Sequence, residues 1–159
     1  MTMIAGVTTV VYRARTRIVI PDNKLSITHG TDASPDPLVV QATANEFRWT
    51  FRLPGDDGNM NTEDDILSRD ELHVPVGKQV ELQLTSTDYI YIFNVPSLDV
   101  REAAVPGLMF NVSFKPNTSG THNIMTDPMC GVRYFHDDVM GRVFADSATE
   151  YARWMQGLQ

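Results

Sequence analysis

Residues 46–53 read Glu-Phe-Arg-Trp-Thr-Phe-Arg-Leu, and every second position is large and apolar: Phe47, Trp49, Phe51 and Leu53. Successive side chains of an extended strand point to opposite faces, so this spacing predicts a strand with one face in a core and Arg48, Thr50 and Arg52 on the other. Pro54-Gly55 ends it. The same period recurs from Pro37 onward at residues 38–44, 71–74, 79–85, 89–95, 109–114, 120–125 and 141–145, with Val80, Leu82 and Leu84 inward in the third of these. Pro75-Val76-Gly77 and the Pro-Asn-Thr-Ser-Gly stretch at 116–120 supply turns between them. Short alternating strands broken by such turns predict an all-β antiparallel sandwich. From Pro37 onward helical signal is confined to the C-terminus, where Ser147-Ala148-Thr149-Glu150 is a capping box and predicts a short helix over 147–155.

At 159 residues the chain is long enough for one core and too short for two ordinary ones. We divide it into an N-terminal segment, 1–36, and a sandwich domain, 37–159, without repeat or internal linker in the latter. The apolar run before Arg13, Arg15 and Arg17 is too short to cross a bilayer alone. Its positive charges follow the apolar run, the reverse of a secretory signal. It reads either as the last turns of a membrane helix plus a connector or as an ordinary first strand or helix. The net charge of −7 argues against nucleic acid as a partner and favours a cationic protein. Much of the acid lies between Asp56 and Glu71, which suits a solvated hairpin tip or an electrostatic steering patch. Asp56 to Asp65 is also oxygen-rich enough to resemble a calcium loop, but it lacks the spacing and terminal glutamate of an EF-hand.

The single cysteine, Cys130, excludes an internal disulfide. It opens a stretch in which Cys130, His136 and Met140 place a thiolate, an imidazole and a thioether within one loop between two late strands. Copper that cycles between two oxidation states suits that donor set. A complete site needs a further ligand from an earlier strand. His29 falls in a predicted loop, His73 in an edge-like strand, and His122 roughly 13 Å along its strand from the loop, so none supplies it. No nucleophile with a base, phosphate-cradling loop or acid–base pair is legible, so the chain carries no catalytic site of its own.

Several motifs in order resemble the copper-bearing extramembrane domain of cytochrome c oxidase subunit II. They are the strand with Phe47, Trp49 and Phe51, then Glu71-Leu-His-Val-Pro-Val-Gly77, and then Ser86-Thr-Asp88 through Phe93-Asn-Val-Pro96. Ala104-Val-Pro-Gly107, Phe114-Lys-Pro116, Cys130-Gly131 and Glu150-Tyr-Ala-Arg-Trp154 complete the series. The resemblance implies a cupredoxin-like Greek-key β-sandwich on the outer, periplasmic or equivalent, side of an energy-conserving membrane. It implies as partners the oxidase catalytic subunit, other membrane subunits, and a basic cytochrome c or other electron donor.

In that family a two-copper centre uses two bridging cysteines, an early histidine, and a glutamate whose carbonyl reaches copper. Here Tyr91 stands at the early histidine, Thr126 at the first cysteine and Pro128 at the glutamate, and the loop after Gly131 is longer. Ala103 and Leu108 replace the acid and the arginine of the family's inward relay, and Phe47 replaces a tryptophan used for electron entry, with Trp49 beside it. These departures imply a docking, structural or electron-transfer subunit whose two-copper centre is degenerate, a non-catalytic part of a cytochrome c or quinol oxidase. Copper is limited to one ion at most. The alternative is a mononuclear copper electron-transfer or copper-handling protein, with Cys130, His136 and Met140 as ligands and Tyr91 or the Pro128 carbonyl as the remaining one.

Overall fold

The computed structural model describes residues 16–19, 26–29, 36–55, 57–126 and 139–157. Twelve strands and one helix follow in chain order: β1 (Thr16–Val19), β2 (Ser26–His29), β3 (Leu38–Asn45), β4 (Arg48–Leu53), β5 (Ile66–Arg69), β6 (Glu71–Pro75), β7 (Val80–Ser86), β8 (Tyr91–Val95), β9 (Val100–Ala104), β10 (Met109–Phe114), β11 (Gly120–Met125), β12 (Val139–Asp146) and α1 (Ala148–Gln156). They form two sheets, one ordered β1-β2-β10-β7-β3-β4-β5 and the other β6-β12-β11-β8-β9. This is the expected all-β sandwich with a short C-terminal helix.

The alternation of β4 holds: Trp49, Phe51 and Leu53 are fully buried while Arg48 is exposed and Thr50 and Arg52 are half-buried. Across the sandwich Trp49 and Phe51 meet Phe93 of β8 edge-on, with ring centres 5.1 and 6.3 Å apart. Burying each such side chain contributes about 1.5–3 kcal/mol, so these contacts help hold the two sheets together.

The sandwich is mixed rather than antiparallel, with β3 parallel to β7 and β6 parallel to β12, and it differs from the sequence expectation at several further places. The strand predicted over 46–53 starts only at Arg48, because Glu46 and Phe47 form a two-residue hairpin turn at φ 48° and 61°. Two positive φ values match the twist of the flanking strands. His29, expected in a loop, ends β2 opposite Val112 of β10, where a parallel strand satisfies the edge of the larger sheet. Strands β5 and β9 carry weak alternation and were not expected. Residues 1–12, read as the end of a membrane helix or a first element, lie outside the described residues.

Asp70 is the corner where the chain leaves the larger sheet for the smaller one. It holds a left-handed conformation at φ 60°. Its N–H donates to the Trp49 carbonyl at 2.8 Å, its carboxylate accepts the Trp49 N–H at 3.1 Å, and it also pairs with Arg48. The hydrogen bonds offset the conformational cost, which for a non-glycine residue is about 1–2 kcal/mol.

Candidate metal centre

Strand β11 runs antiparallel to both β8 and β12. The start of β8, the end of β11 and the start of β12 therefore share one end of the sandwich. Tyr91 opens β8, Thr126 follows β11 and Met140 is the second residue of β12. Met140 is partly buried against the core. The next residue must be glycine, because a Cβ on Gly141 would fall 2.6 Å from the Asp70 carbonyl oxygen. That carbonyl accepts the Arg142 N–H at 2.8 Å, so the Asp70 corner fixes where β12, and Met140 with it, begins. The predicted ligands Cys130 and His136, and Pro128, lie outside the described residues. Among the described residues no three His, Cys, Asp or Glu side chains converge as an ion site.

Tyr91 is buried and its hydroxyl is committed on both sides. It accepts the Phe47 N–H at 3.2 Å and donates to Asp88 Oδ2 at 3.0 Å. The Asp88 carboxylate also accepts the Glu46 N–H and the Tyr89 N–H, each at 2.8 Å. Together Tyr91 and Asp88 satisfy both N–H groups of the strained Glu46–Phe47 turn. Burial, opposed by the Phe47 N–H and reinforced by the Asp88 carboxylate, pushes the Tyr91 phenol up to about 12. Burial also works against the Asp88 charge, but the amide donors from Glu46 and Tyr89 and the Tyr91 hydroxyl outweigh it and hold this carboxyl below its ordinary range. A phenol held protonated at neutral pH is a poor metal ligand, since it is the deprotonated oxygen that binds.

Phe47 and Trp49, the positions read for electron entry, are neighbours of Tyr91. Phe47 stacks on the exposed Tyr89 with ring centres 5.8 Å apart and meets Tyr91 edge-on at 5.8 Å; Trp49 meets Tyr91 at 6.3 Å. Sequence reasoning assigned no role to Asp88. The available signal was an aspartate three residues ahead of Tyr91 at a strand end, where a short carboxylate reaches nearby backbone donors.

Two histidines outside the loop are engaged elsewhere. His122 Nδ1 lies 2.8 Å from Ser97 Oγ, in a single 3-10 turn (Pro96–Leu98), and His73 Nδ1 lies 2.6 Å from Asp146 Oδ2. In the acidic hairpin between β4 and β5 the carboxylates face the loop's own donors. Asp65 Oδ2 accepts the Asn61 N–H and Arg52 Nη1 at 2.8 and 2.9 Å, Asp57 Oδ1 accepts the Asn59 N–H at 2.7 Å, and Asp64 Oδ1 accepts the Thr62 hydroxyl at 2.6 Å. This arrangement is that of a self-satisfied hairpin tip.

Comparison with known proteins bears on the whole of this end of the molecule. Residues 38–142 match the family model described as cytochrome c oxidase subunit II, periplasmic domain. The alternative cytochrome c oxidase subunit 2 of Bradyrhizobium diazoefficiens is 24% identical over 143 residues, covering 76% of this chain and 51% of that protein. Cytochrome c oxidase subunit 2 of Thermostichus vulcanus is 30% identical over 131 residues, covering 79% of this chain and 36% of its own. The chain thus spans about half or less of these relatives. The crystal structure of the periplasmic domain of subunit II of cytochrome oxidase from Bradyrhizobium japonicum superimposes with a TM-score of 0.63 at 22% identity, covering 78% of this chain and 95% of that one, and supports the fold. No described helix is long and apolar enough to cross a membrane. With the match running from β3 into β12 and the same sandwich in a solved relative, this chain belongs to the cytochrome c oxidase subunit II family through its periplasmic domain.

Proposed function

We propose that this chain is the extramembrane domain of a heme-copper oxidase subunit II that has given up the two-copper centre and serves in docking and support of the complex. It faces the outer side of the membrane, against the oxidase catalytic subunit and its membrane neighbours, with a basic cytochrome c or a related electron donor as the candidate partner of its acidic surface. The observation that carries this reading is Tyr91. At the position that resembles the family's early histidine, a protonated phenol bridges Phe47 and Asp88 and closes the turn that a ligand would otherwise border. The donor set agrees, because a single cysteine in the chain cannot provide two bridging thiolates. The residues present do not fit a two-copper centre.

Copper loading followed by metal analysis and a visible spectrum tests the reading. The expected result is at most one copper per chain without a purple mixed-valence spectrum. Two coppers per chain with that spectrum would overturn it. One copper with an intense thiolate-to-copper band that vanishes in Cys130→Ser would instead favour the mononuclear reading, with Cys130 as a ligand and His136 and Met140 as its candidate companions.

A further inference from the structure

Helix α1 holds to the sandwich through few of its own residues. It has nine residues, none of them buried, and a helix of that length is not stable alone in water. Its capping box satisfies its own first turn: Ser147 Oγ accepts the Glu150 N–H at 3.3 Å and Glu150 Oε2 accepts the Ser147 N–H at 3.0 Å. Those bonds shape the helix without attaching it. Attachment comes from Trp154 and Met155, which pack partly buried against the core, and from one histidine.

His73 stands on β6, the edge strand of the smaller sheet, in register with Phe144 of β12. Its strand neighbours Leu72 and Val74 are fully buried, so His73 is on the outer face. Phe144 stacks on the imidazole with ring centres 4.4 Å apart and planes 10° apart, and Trp154 of α1 stacks on it at 4.4 Å and 19°. Asp146 holds the ring at its edge through Nδ1 at 2.6 Å, which fixes the ring plane and leaves both faces to the aromatic partners. Asp146 is also the junction: its carbonyl accepts the Val76 N–H at 2.9 Å, and the next residue is the helix N-cap, Ser147.

We infer that His73 is a latch: an imidazole oriented by Asp146 and gripped between Phe144 and Trp154 fastens α1 to the outer face of the smaller sheet, so that the helix docks and releases as one unit while the sandwich stays folded. The latch is a conformational device separate from the metal end of the molecule. It makes the C-terminal helix a strap whose hold depends, beside the packing of Trp154 and Met155, on one side chain of a strand some seventy positions earlier.

Amide exchange and heteronuclear NMR of the full chain test it. In His73→Ala the amide protons of Tyr151 through Gln156 exchange about 2–10-fold faster, the loss expected from one aromatic contact. The Trp154 indole signal moves, while that of Trp49, fully buried in the core, stays. Asp146→Asn moves the same amides in the same direction by less. Unchanged α1 exchange in His73→Ala, or acceleration of equal size across β3, β7 and β11, would overturn the latch. Should His73→Ala fail to fold, Asp146→Asn decides alone, local acceleration supporting the latch and unchanged exchange removing it.

Discussion

Tyr91 and His73 belong to the same five-stranded sheet, and each is a ring held at its edge by an aspartate and against aromatic neighbours. They sit on opposite faces of that sheet. Tyr91 points into the core, where Asp88 and the Phe47 N–H complete its hydrogen bonds and Trp49 closes on its ring. His73 points outward, and what closes on it is a helix with no fully buried residue. The chemistry of the two arrangements is alike, and their position relative to the core separates them. Loss of the inner one removes contacts made at the core and weakens the whole sandwich, whereas loss of the outer one frees only the element it holds.

The sharpest way to break this contrast is at Trp49, which touches both Tyr91 and Phe93. Trp49→Ala is expected to cost about 3–5 kcal/mol in denaturant unfolding, as a large ring leaves a fully buried site. Tyr91→Phe keeps the ring and removes the hydroxyl, leaving the Phe47 N–H without its acceptor, and is expected to cost about 1–3 kcal/mol of global stability. Ser147→Ala is expected to cost about 1 kcal/mol, read as fraying of α1 by amide exchange with the sheet unaffected. If Tyr91→Phe left global stability unchanged, or if Ser147→Ala lowered the unfolding midpoint as much as Tyr91→Phe does, the division into core and strap would be wrong.

Smaller effects follow from pH. Asp88 is held below its ordinary range by the donors around it despite burial; Asp65, where burial again opposes, is lowered by Arg52 and by the Asn61 and Thr62 amides; Glu150 is lowered by Ser147. A carboxyl lowered in the folded state contributes stability that is present above its unfolded value, roughly 4, and is lost as pH falls through the folded one. Unfolding midpoints are therefore expected to fall on acidification below that value, less steeply in Asp88→Asn. At the alkaline side burial pushes Tyr91 and Tyr151 up to about 12. A raised phenol contributes stability that is full below the unfolded value, about 10, and declines as pH rises toward 12. Tyrosinate absorbance should show a step near pH 12 that shrinks in Tyr91→Phe.

Much of the fold was legible because its signals are local. Strand alternation in β3, β4, β7 and β10 and the capping box of α1 each lie within a few residues, and the structure places those elements within two residues of the expected bounds. The Glu46–Phe47 turn was not legible. An acid and an aromatic are poor residues for two positive φ values, and only Asp88 and Tyr91, some forty positions later, make the turn tenable. The same holds for the Asp70 corner, whose partners Trp49 and Arg142 come from two different sheets. At the metal end, the substitution at Tyr91 was readable beside the resemblance to the family, but the double commitment of its hydroxyl was not, since nothing in the order of residues brings Phe47, Asp88 and Tyr91 together.

By itself the sequence determined that this chain is a two-sheet sandwich of the subunit II kind with one cysteine where two would be needed, because alternation, turn residues and ligand identity are properties of short stretches. Tertiary structure alone decided what Tyr91 and His73 do. Tyr91 became a core post and His73 a latch because hydrogen bonds and ring contacts act over a few ångströms of space, and folding sets which distant residues share that space.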